Sequence, residues 1–200
     1  MCSRKPILYA FDFYGTLTKR DSLIEFIRYA KGSISFLFGF TVFSPYIILM
    51  KLKILPNWIV KQKLFSWYFK GMEYKEFKNL CYRFAKEKYS ILKSSGLQYI
   101  NEIAEKGDQI IIVSASVDDW VEPFFQDYPI RVLGTKLEVI HDKLTGKFKT
   151  KNCYGIEKVN RIVSEFPHRN DYLLIAFGDS QGDKEMLDFA DQSYYKYFAD

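Results

Sequence analysis

Three short apolar runs, each closing on a polar residue, constrain this chain more than any other feature. Ile7-Leu8-Tyr9-Ala10-Phe11 ends at Asp12, Gln109-Ile110-Ile111-Ile112-Val113 ends at Ser114, and Tyr172-Leu173-Leu174-Ile175-Ala176-Phe177 ends at Gly178-Asp179. Continuous apolar runs of this length fit strands buried on both faces of a parallel sheet. Between them lie apolar residues spaced by three or four, first Leu97, Ile100, Ile103 and Ala104, then Ile156, Val159, Ile162, Val163 and Phe166, which is the period of a helix. Strands alternating with helices give an α/β fold with a Rossmann-like parallel sheet, and right-handed crossovers place neighbouring strand ends on one edge. Leu137-Glu138-Val139-Ile140 and Lys147-Phe148-Lys149, joined across Asp142–Gly146, read as a small β-hairpin beside that sheet.

Residues 19–93 interrupt the alternation. Phe77, Leu80, Cys81, Phe84 and Ala85 mark a helix there, and the segment reads as a helical insertion after the first strand. A length of 200 residues suits one domain with such an insertion. With 48% apolar and 26% charged residues, the composition excludes disorder and a polytopic membrane protein. Cys2, Cys81 and Cys153 are too few for a disulfide framework, and a reduced cytoplasmic compartment fits them best. Arg4 and Lys5 precede an apolar run that Asp12 soon interrupts, so no signal-peptide pattern is expected. His141 and His168 have no partner spacing and read as surface residues.

The charge is asymmetric. Residues 1–100 carry 17 Lys and Arg against 6 Asp and Glu, and residues 101–200 carry 12 against 18. The basic half implies an anionic partner, and the acidic half implies carboxylates gathered around a cation. No nucleic-acid-binding pattern accompanies the basic excess. Gly32–Met50 is a stretch of 19 uncharged positions between Lys31 and Lys51. A span needs about 20 apolar residues, but a single crossing here would separate Asp12 from Ser114 and Asp179, and Pro45 interrupts the run. Two readings stay open: a buried core of the insertion, or a shallow hairpin on a membrane surface anchored by Trp58, Trp67 and nearby lysines.

Ligands of an open parallel sheet bind beyond the carboxyl ends of its strands. Asp12 and Asp179 together offer hard oxygen ligands suited to Mg²⁺, with Asp183 in support. Ser114 and a lysine would donate to phosphate oxygens. Lys158, in the first turn of the helix after Gly155, is the candidate, with Lys149 and Lys151 as alternatives. Ser116 and Asn152 touch either phosphate or only the turn.

These residues fall into four ordered motifs. They are Phe11-Asp12-Phe13-Tyr14-Gly15-Thr16-Leu17-Thr18, then Ile112-Val113-Ser114-Ala115-Ser116, then Lys158 in Tyr154-Gly155-Ile156-Glu157-Lys158-Val159, and last Gly178 to Asp183 followed by Lys184-Glu185-Met186-Leu187. In this the sequence resembles the haloacid dehalogenase superfamily, and the helical insertion resembles the cap of its subfamily IB, which includes phosphoserine phosphatase and phosphatidylglycerophosphatase-like hydrolases. The resemblance implies a discontinuous core at 1–18 and 94–200 and a helical cap at 19–93. It implies a Mg²⁺-dependent phosphomonoesterase in which Asp12 attacks phosphorus to form an aspartyl-phosphate. Asp12, Asp179 and the backbone carbonyl of Tyr14 would hold the metal, and Ser114 and Lys158 would hold the phosphoryl oxygens, with Ser116 and Asn152 near the substrate. The substrate would be a phosphorylated small molecule or a lipid phosphate such as phosphatidylglycerophosphate, met in the cytoplasm or peripherally on the inner membrane.

One position departs from that pattern. Where the phosphatases carry a second Asp, which serves as general acid and base, this chain has Tyr14. General acid–base help is worth roughly 10²–10⁴ in rate, so slow or altered turnover is expected. Two other classes follow from the same departure: a non-catalytic phosphate-binding relative, and a 2-haloacid dehalogenase, whose motif one also carries Tyr. The Gly178–Asp183 motif speaks against the dehalogenase.

Overall fold

A computed structural model describes residues 5–199; Cys2 and Arg4 lie outside the described residues. Its centre is a five-stranded sheet, every pair parallel, in the order β3-β2-β1-β6-β7. The strands are β1 (Ile7–Phe11), β2 (Gln109–Val117), β3 (Ile130–Thr135), β6 (Leu173–Gly178) and β7 (Gln192–Tyr195). A two-stranded antiparallel hairpin, β4 (Leu137–Ile140) and β5 (Lys143–Phe148), stands apart from it.

The register explains why the strands read as continuous apolar runs. Side chains alternate across a strand, so Leu8 and Ala10 enter one buried layer with Ile111, Val113, Leu174 and Ala176. Tyr9 and Phe11 enter the other with Ile110, Ile112 and Phe177. The first layer is closed by α7 (Ile156–Glu165) and α8 (Lys184–Phe189), which supply Ile162 and Met186. The second is closed by α5 (Ser94–Glu105) through Ile100 and Ile103, and it continues into the inserted helices. A parallel sheet covered on both faces cannot show alternation in its sequence.

Between β1 and β2 run α1 (Ser22–Val42), α2 (Ser44–Lys51), α3 (Asn57–Phe69) and α4 (Tyr74–Glu87). Asp21 caps α1, accepting from the amides of Leu23 and Ile24. The break in α1 falls at Gly32, whose φ of 77° is left-handed, a conformation glycine adopts without steric cost. The helices pack through aromatic rings: Phe26 meets Phe69, Phe77 and Phe84, and it stacks on Trp120 of α6 (Asp118–Val121) at 5.2 Å. Cap and sheet therefore share one apolar core.

Three sequence expectations are corrected. β2 does not stop before Ser114 but continues to Val117, with an irregular register against β3 beyond Val113. The second hairpin strand begins at Lys143, because the turn is only His141-Asp142, both at positive φ. That pair suits a two-residue hairpin turn, whose twist matches the strands, and it leaves Gly146 inside β5, against Ser66 of α3. Last, only part of Gly32–Met50 joins the core of the insertion: Phe36, Phe40, Phe43, Ile47 and Met50 are partly buried against it. Ile34, Leu37, Phe38, Val42, Tyr46 and Ile48 are all exposed. No single helix among the described residues is long and apolar enough to cross a membrane, though α1 and α2 together, bent by 62°, meet that test of length and composition.

Candidate active site

The strand order places the site. From β1 the chain winds outward through β2 to β3, then returns to β6 on the other side of β1 and moves on to β7. The carboxyl ends of β1 and β6 flank the point where the winding reverses, and crevices of such sheets open there. Asp12 extends the ladder by donating its amide to the Phe177 carbonyl at 2.9 Å, so it stands directly beside the turn that carries Asp179.

Lys158 is the hub. It is 1% exposed, and its ammonium donates to Asp12 Oδ1 at 2.5 Å, Asp183 Oδ1 at 2.6 Å and the Val113 carbonyl at 2.7 Å. An ammonium has three hydrogens, and all three are used. The first turn of α7 delivers it: Gly155, at φ 62°, precedes the helix, and its carbonyl accepts from the Lys158 amide. Burial alone would lower the pKa of Lys158, but the two carboxylates outweigh it and hold the lysine charged.

Asp183 is the second organiser. Its other oxygen, Oδ2, accepts from the Asp179 amide at 3.1 Å, the Ser180 amide at 2.9 Å and the Ser180 hydroxyl at 2.7 Å. Against the cost of its burial, Lys158 and Ser180 hold its carboxyl below the ordinary value. Asp12 is different. Desolvation dominates over the pull of Lys158, and repulsion from Asp183 and Asp179 adds to it, so its pKa is pushed up to about 7. Asp179 is also raised, by burial and by Asp183.

A divalent cation fits this donor set. One carboxylate oxygen each from Asp12, Asp179 and Asp183 lie within 4.8 Å of one another. Asp179 Oδ1 is buried without a hydrogen-bond partner, although a carboxylate oxygen so placed costs free energy until something satisfies it. Gly15, at φ 82°, brings the loop after β1 so close to the Asp179 carboxylate that any side chain there would overlap it. Lys93 pins that loop by donating to the Gly15 carbonyl at 2.8 Å and to the Phe198 carbonyl at 2.9 Å.

The remaining candidates are divided between two places. Ser114 is buried inside β2, next to the Val113 carbonyl that binds Lys158, and its hydroxyl accepts from the Ser116 amide at 3.1 Å. It lies within the strand and not at its end. Ser116 faces the cap, with its hydroxyl 3.0 Å from that of Ser22. Tyr14 and Ser116 line a small enclosed chamber with Asp21, Lys61 and Phe65. Tyr14 is 47% exposed, and partial desolvation together with Asp21 and Asp179 raises its phenol, so it stays protonated at neutral pH. Asn152 lies instead in a cleft of about 630 Å³ between α3 and the core, with Trp58, Gln62, Phe148, Tyr154 and Ile156. Of the competing lysines, Lys151 reaches only this cleft, and Lys149 lines another on the far side of the hairpin. Lys93, Asp21 and Lys61 escaped the sequence reading. Asp21 alone left a signal, as an Asp directly before an apolar helical run.

The sequence pattern of the haloacid dehalogenase-like hydrolases matches residues 9–188. The chain belongs to the haloacid dehalogenase-like hydrolase family. Protein CicA of Caulobacter vibrioides is 32% identical over 197 residues, spanning 97% of this hydrolase and 87% of CicA. A protein of unknown function from Bordetella pertussis Tohama I superposes with a TM-score of 0.83 at 14% identity, covering 95% of this chain and 89% of the other. A phosphoserine phosphatase solved as a phospho-aspartyl intermediate analogue superposes with a TM-score of 0.62 at 20% identity, covering 95% and 86%. At these identities the superpositions establish the hydrolase fold alone.

Proposed function

We propose that this hydrolase cleaves phosphomonoesters through an aspartyl-phosphate on Asp12. The observation that carries the reading is the convergence of three carboxylates and a fully buried lysine at the sheet edge. In the first step an Asp12 carboxylate oxygen bonds to phosphorus and the bond to the alcohol oxygen breaks, that oxygen taking a proton from the Tyr14 hydroxyl or from solvent. In the second, water bonds to phosphorus and gives up a proton to the same group or to solvent, and the bond to Asp12 breaks, which restores the carboxylate and frees phosphate. Ser114 would donate to a phosphoryl oxygen, and Lys158 would reach a second by releasing one of its three acceptors; its charge balances the negative charge that a dianionic substrate brings beside Asp12. Asp12, Asp179 and the Tyr14 carbonyl would hold Mg²⁺, which would neutralise charge so that an anionic nucleophile can meet an anionic ester. Asp183 holds the Asp179 turn in place. Residues 19–93 serve as the cap over a core of 1–18 and 94–200.

We further propose a place in subfamily IB, on the phosphatidylglycerophosphatase-like side, with a lipid phosphate as substrate and a peripheral position on the inner membrane. The cleft between Trp58 and Tyr154 supports this: Trp58, Phe148, Tyr154 and Ile156 give it an apolar wall, and Gln62, Asn152 and Lys151 set polar and cationic groups beside it for a phosphorylated headgroup, with Glu157 the one acid in its lining. A small phosphorylated metabolite is the alternative substrate class.

Tyr14 favours a second reading, a relative that binds phosphate and has lost turnover. Incubating the chain with Mg²⁺ and an aryl phosphate separates the two, because a good leaving group needs little acid help. Release of phosphate, abolished by Asp12→Asn, supports the hydrolase; tight phosphate binding without product supports the binder.

A further inference from the structure

We propose that the exposed face of α1 and α2 docks the protein on an anionic lipid surface, lying in the interface without crossing it. Ile34, Leu37, Phe38 and Val42 follow the i, i+3, i+4, i+8 spacing of one helical face. That face points to solvent: Ile34 is 88% exposed, Leu37 66% and Phe38 63%. The opposite face is already committed. Gly39 lies against the Tyr68 ring of α3, and the Tyr68 hydroxyl donates to the carbonyls of Ser35 and Phe36, each at 3.1 Å. The apolar face is thus held outward by packing behind it. α2 and the turn after it continue the surface with Ile48, Leu52 and Ile54, all exposed.

Charge selects the occupant. From residue 26 to residue 72 the chain carries no Asp or Glu and seven Lys or Arg. Lys31 and Lys51 bound the apolar stretch, and Lys53 follows directly. On α3, Lys63 and Trp67 are exposed one turn apart; Lys63 sits over the Tyr46 ring at 5.0 Å, and Trp67 meets Phe43 at 5.7 Å. Exposed apolar side chains on a segment that carries lysines and tryptophans and no acid of its own match the acyl boundary and headgroups of an anionic bilayer. A protein partner that was merely apolar would call for no such one-sided charge.

Geometry sets the depth. After Gly32 α1 has ten residues and α2 has eight, or limbs of about 15 and 12 Å at 1.5 Å per residue. They bend by 62°, so together they fall short of the roughly 30 Å of hydrocarbon. Trp58, itself 42% exposed, belongs both to this region and to the wall of the Asn152 cleft. Docking would therefore bring the mouth of that cleft to the lipid. Only this last purpose rests on the phosphatase reading; the docking itself does not.

The test is co-sedimentation of the full chain with phosphatidylcholine vesicles, with and without about one third phosphatidylglycerol. Binding is expected to the anionic vesicles, to weaken with added salt, and to shift tryptophan emission to the blue. Joint Ile34→Ser, Leu37→Ser and Phe38→Ser should lower the bound fraction by roughly tenfold or more, leaving aryl phosphate hydrolysis without vesicles unchanged. Lys51→Glu with Lys53→Glu, both on the surface and harmless to packing, should do the same. No binding by the parent chain, or equal binding by both variants, overturns the proposal. So does a dimer in solution that the serine variant makes monomeric without lipid, for then a second copy covers the face. Vesicle binding without phosphatase activity would remove the function proposed above and leave the docking standing.

Discussion

Lys158 and Asp183 form an ion pair of 2.6 Å in which both side chains are almost wholly buried. The same aspartate holds the Asp179–Ser180 turn through its second oxygen, so one residue connects the lysine to the placing of another acid. Lys158 keeps Asp12 when Asp183 is removed, but it loses one of its two buried carboxylates and the Asp179–Ser180 turn loses its acceptor; breaking a buried pair costs about 3–5 kcal/mol. In a domain of this size each kcal/mol lowers Tm by about 2–4 °C. Asp183→Ala should therefore lower Tm by roughly 10 °C or more in a thermal melt. Asp183→Asn, which keeps an acceptor for Lys158, should fall by less; equal and small losses in both would show that the pair contributes little.

Tyr14 stands where a carboxylate would take and return a proton. An ordinary tyrosine is ionised only about once in 10³ at pH 7, and here partial desolvation and two aspartates hold its proton more firmly. Tyr14→Asp should raise the rate on an alkyl phosphate by about 10²–10⁴ and on an aryl phosphate by much less. Steady-state rates on the two substrate classes check this, and a uniform or absent gain would sink it.

A cation at the carboxylate cluster should show itself without any turnover. Ligand binding to the folded state raises stability by mass action, about 2.7 kcal/mol at a hundred times Kd. Mg²⁺ should raise Tm, and Asp179→Asn should lose most of the effect. Protons compete for Asp12, whose pKa is pushed up to about 7, so the Mg²⁺-induced shift should be larger at pH 8 than at pH 6. A shift that is the same at both values, or that survives Asp179→Asn, places the ion elsewhere.

Asp118 gives a prediction away from the site. Burial first, then Asp119 and Glu122, push its carboxyl up to about 7, with Lys136 opposing. The folded state thus keeps a proton that the unfolded chain gives up near 4, so this group's contribution to stability falls as pH rises from about 4 to 7. Asp118→Asn removes the titration. The variant should gain Tm on the parent at pH 8 and gain little at pH 4, and parallel melts across that range test the sign.

The sheet and its acids were legible in the sequence because buried parallel strands leave unbroken apolar runs, and the residue that ends each run lies where the chain leaves the core. Asp12 and Asp179 could be nominated for that reason, and Lys158 by its place in the first turn of the helix after Gly155. Ser114 was nominated with the wrong local structure, since a register irregularity beyond Val113 carries β2 three residues past it. The fate of Gly32–Met50 was open in principle: an uncharged run has the same composition whether a neighbouring helix covers it or nothing does. What decides is Tyr68 against Gly39, a contact 29 positions apart that no local pattern announces. Lys93, reaching two backbone carbonyls at opposite ends of the chain, was hidden for the same reason.

The stacking of Phe26 on Trp120, and the edge-to-face contact of Phe84 with Phe124 in the same layer, bear on how traffic enters this enzyme. A roof that swung away from its floor would expose those rings to water, at roughly 1.5–3 kcal/mol for each large apolar side chain, and several would be uncovered at once. A wide hinge motion is therefore too costly to recur in every cycle. On the phosphatase reading, exchange with solvent would run through local side-chain movement around the small chamber beside Tyr14, while roof and floor stay in contact.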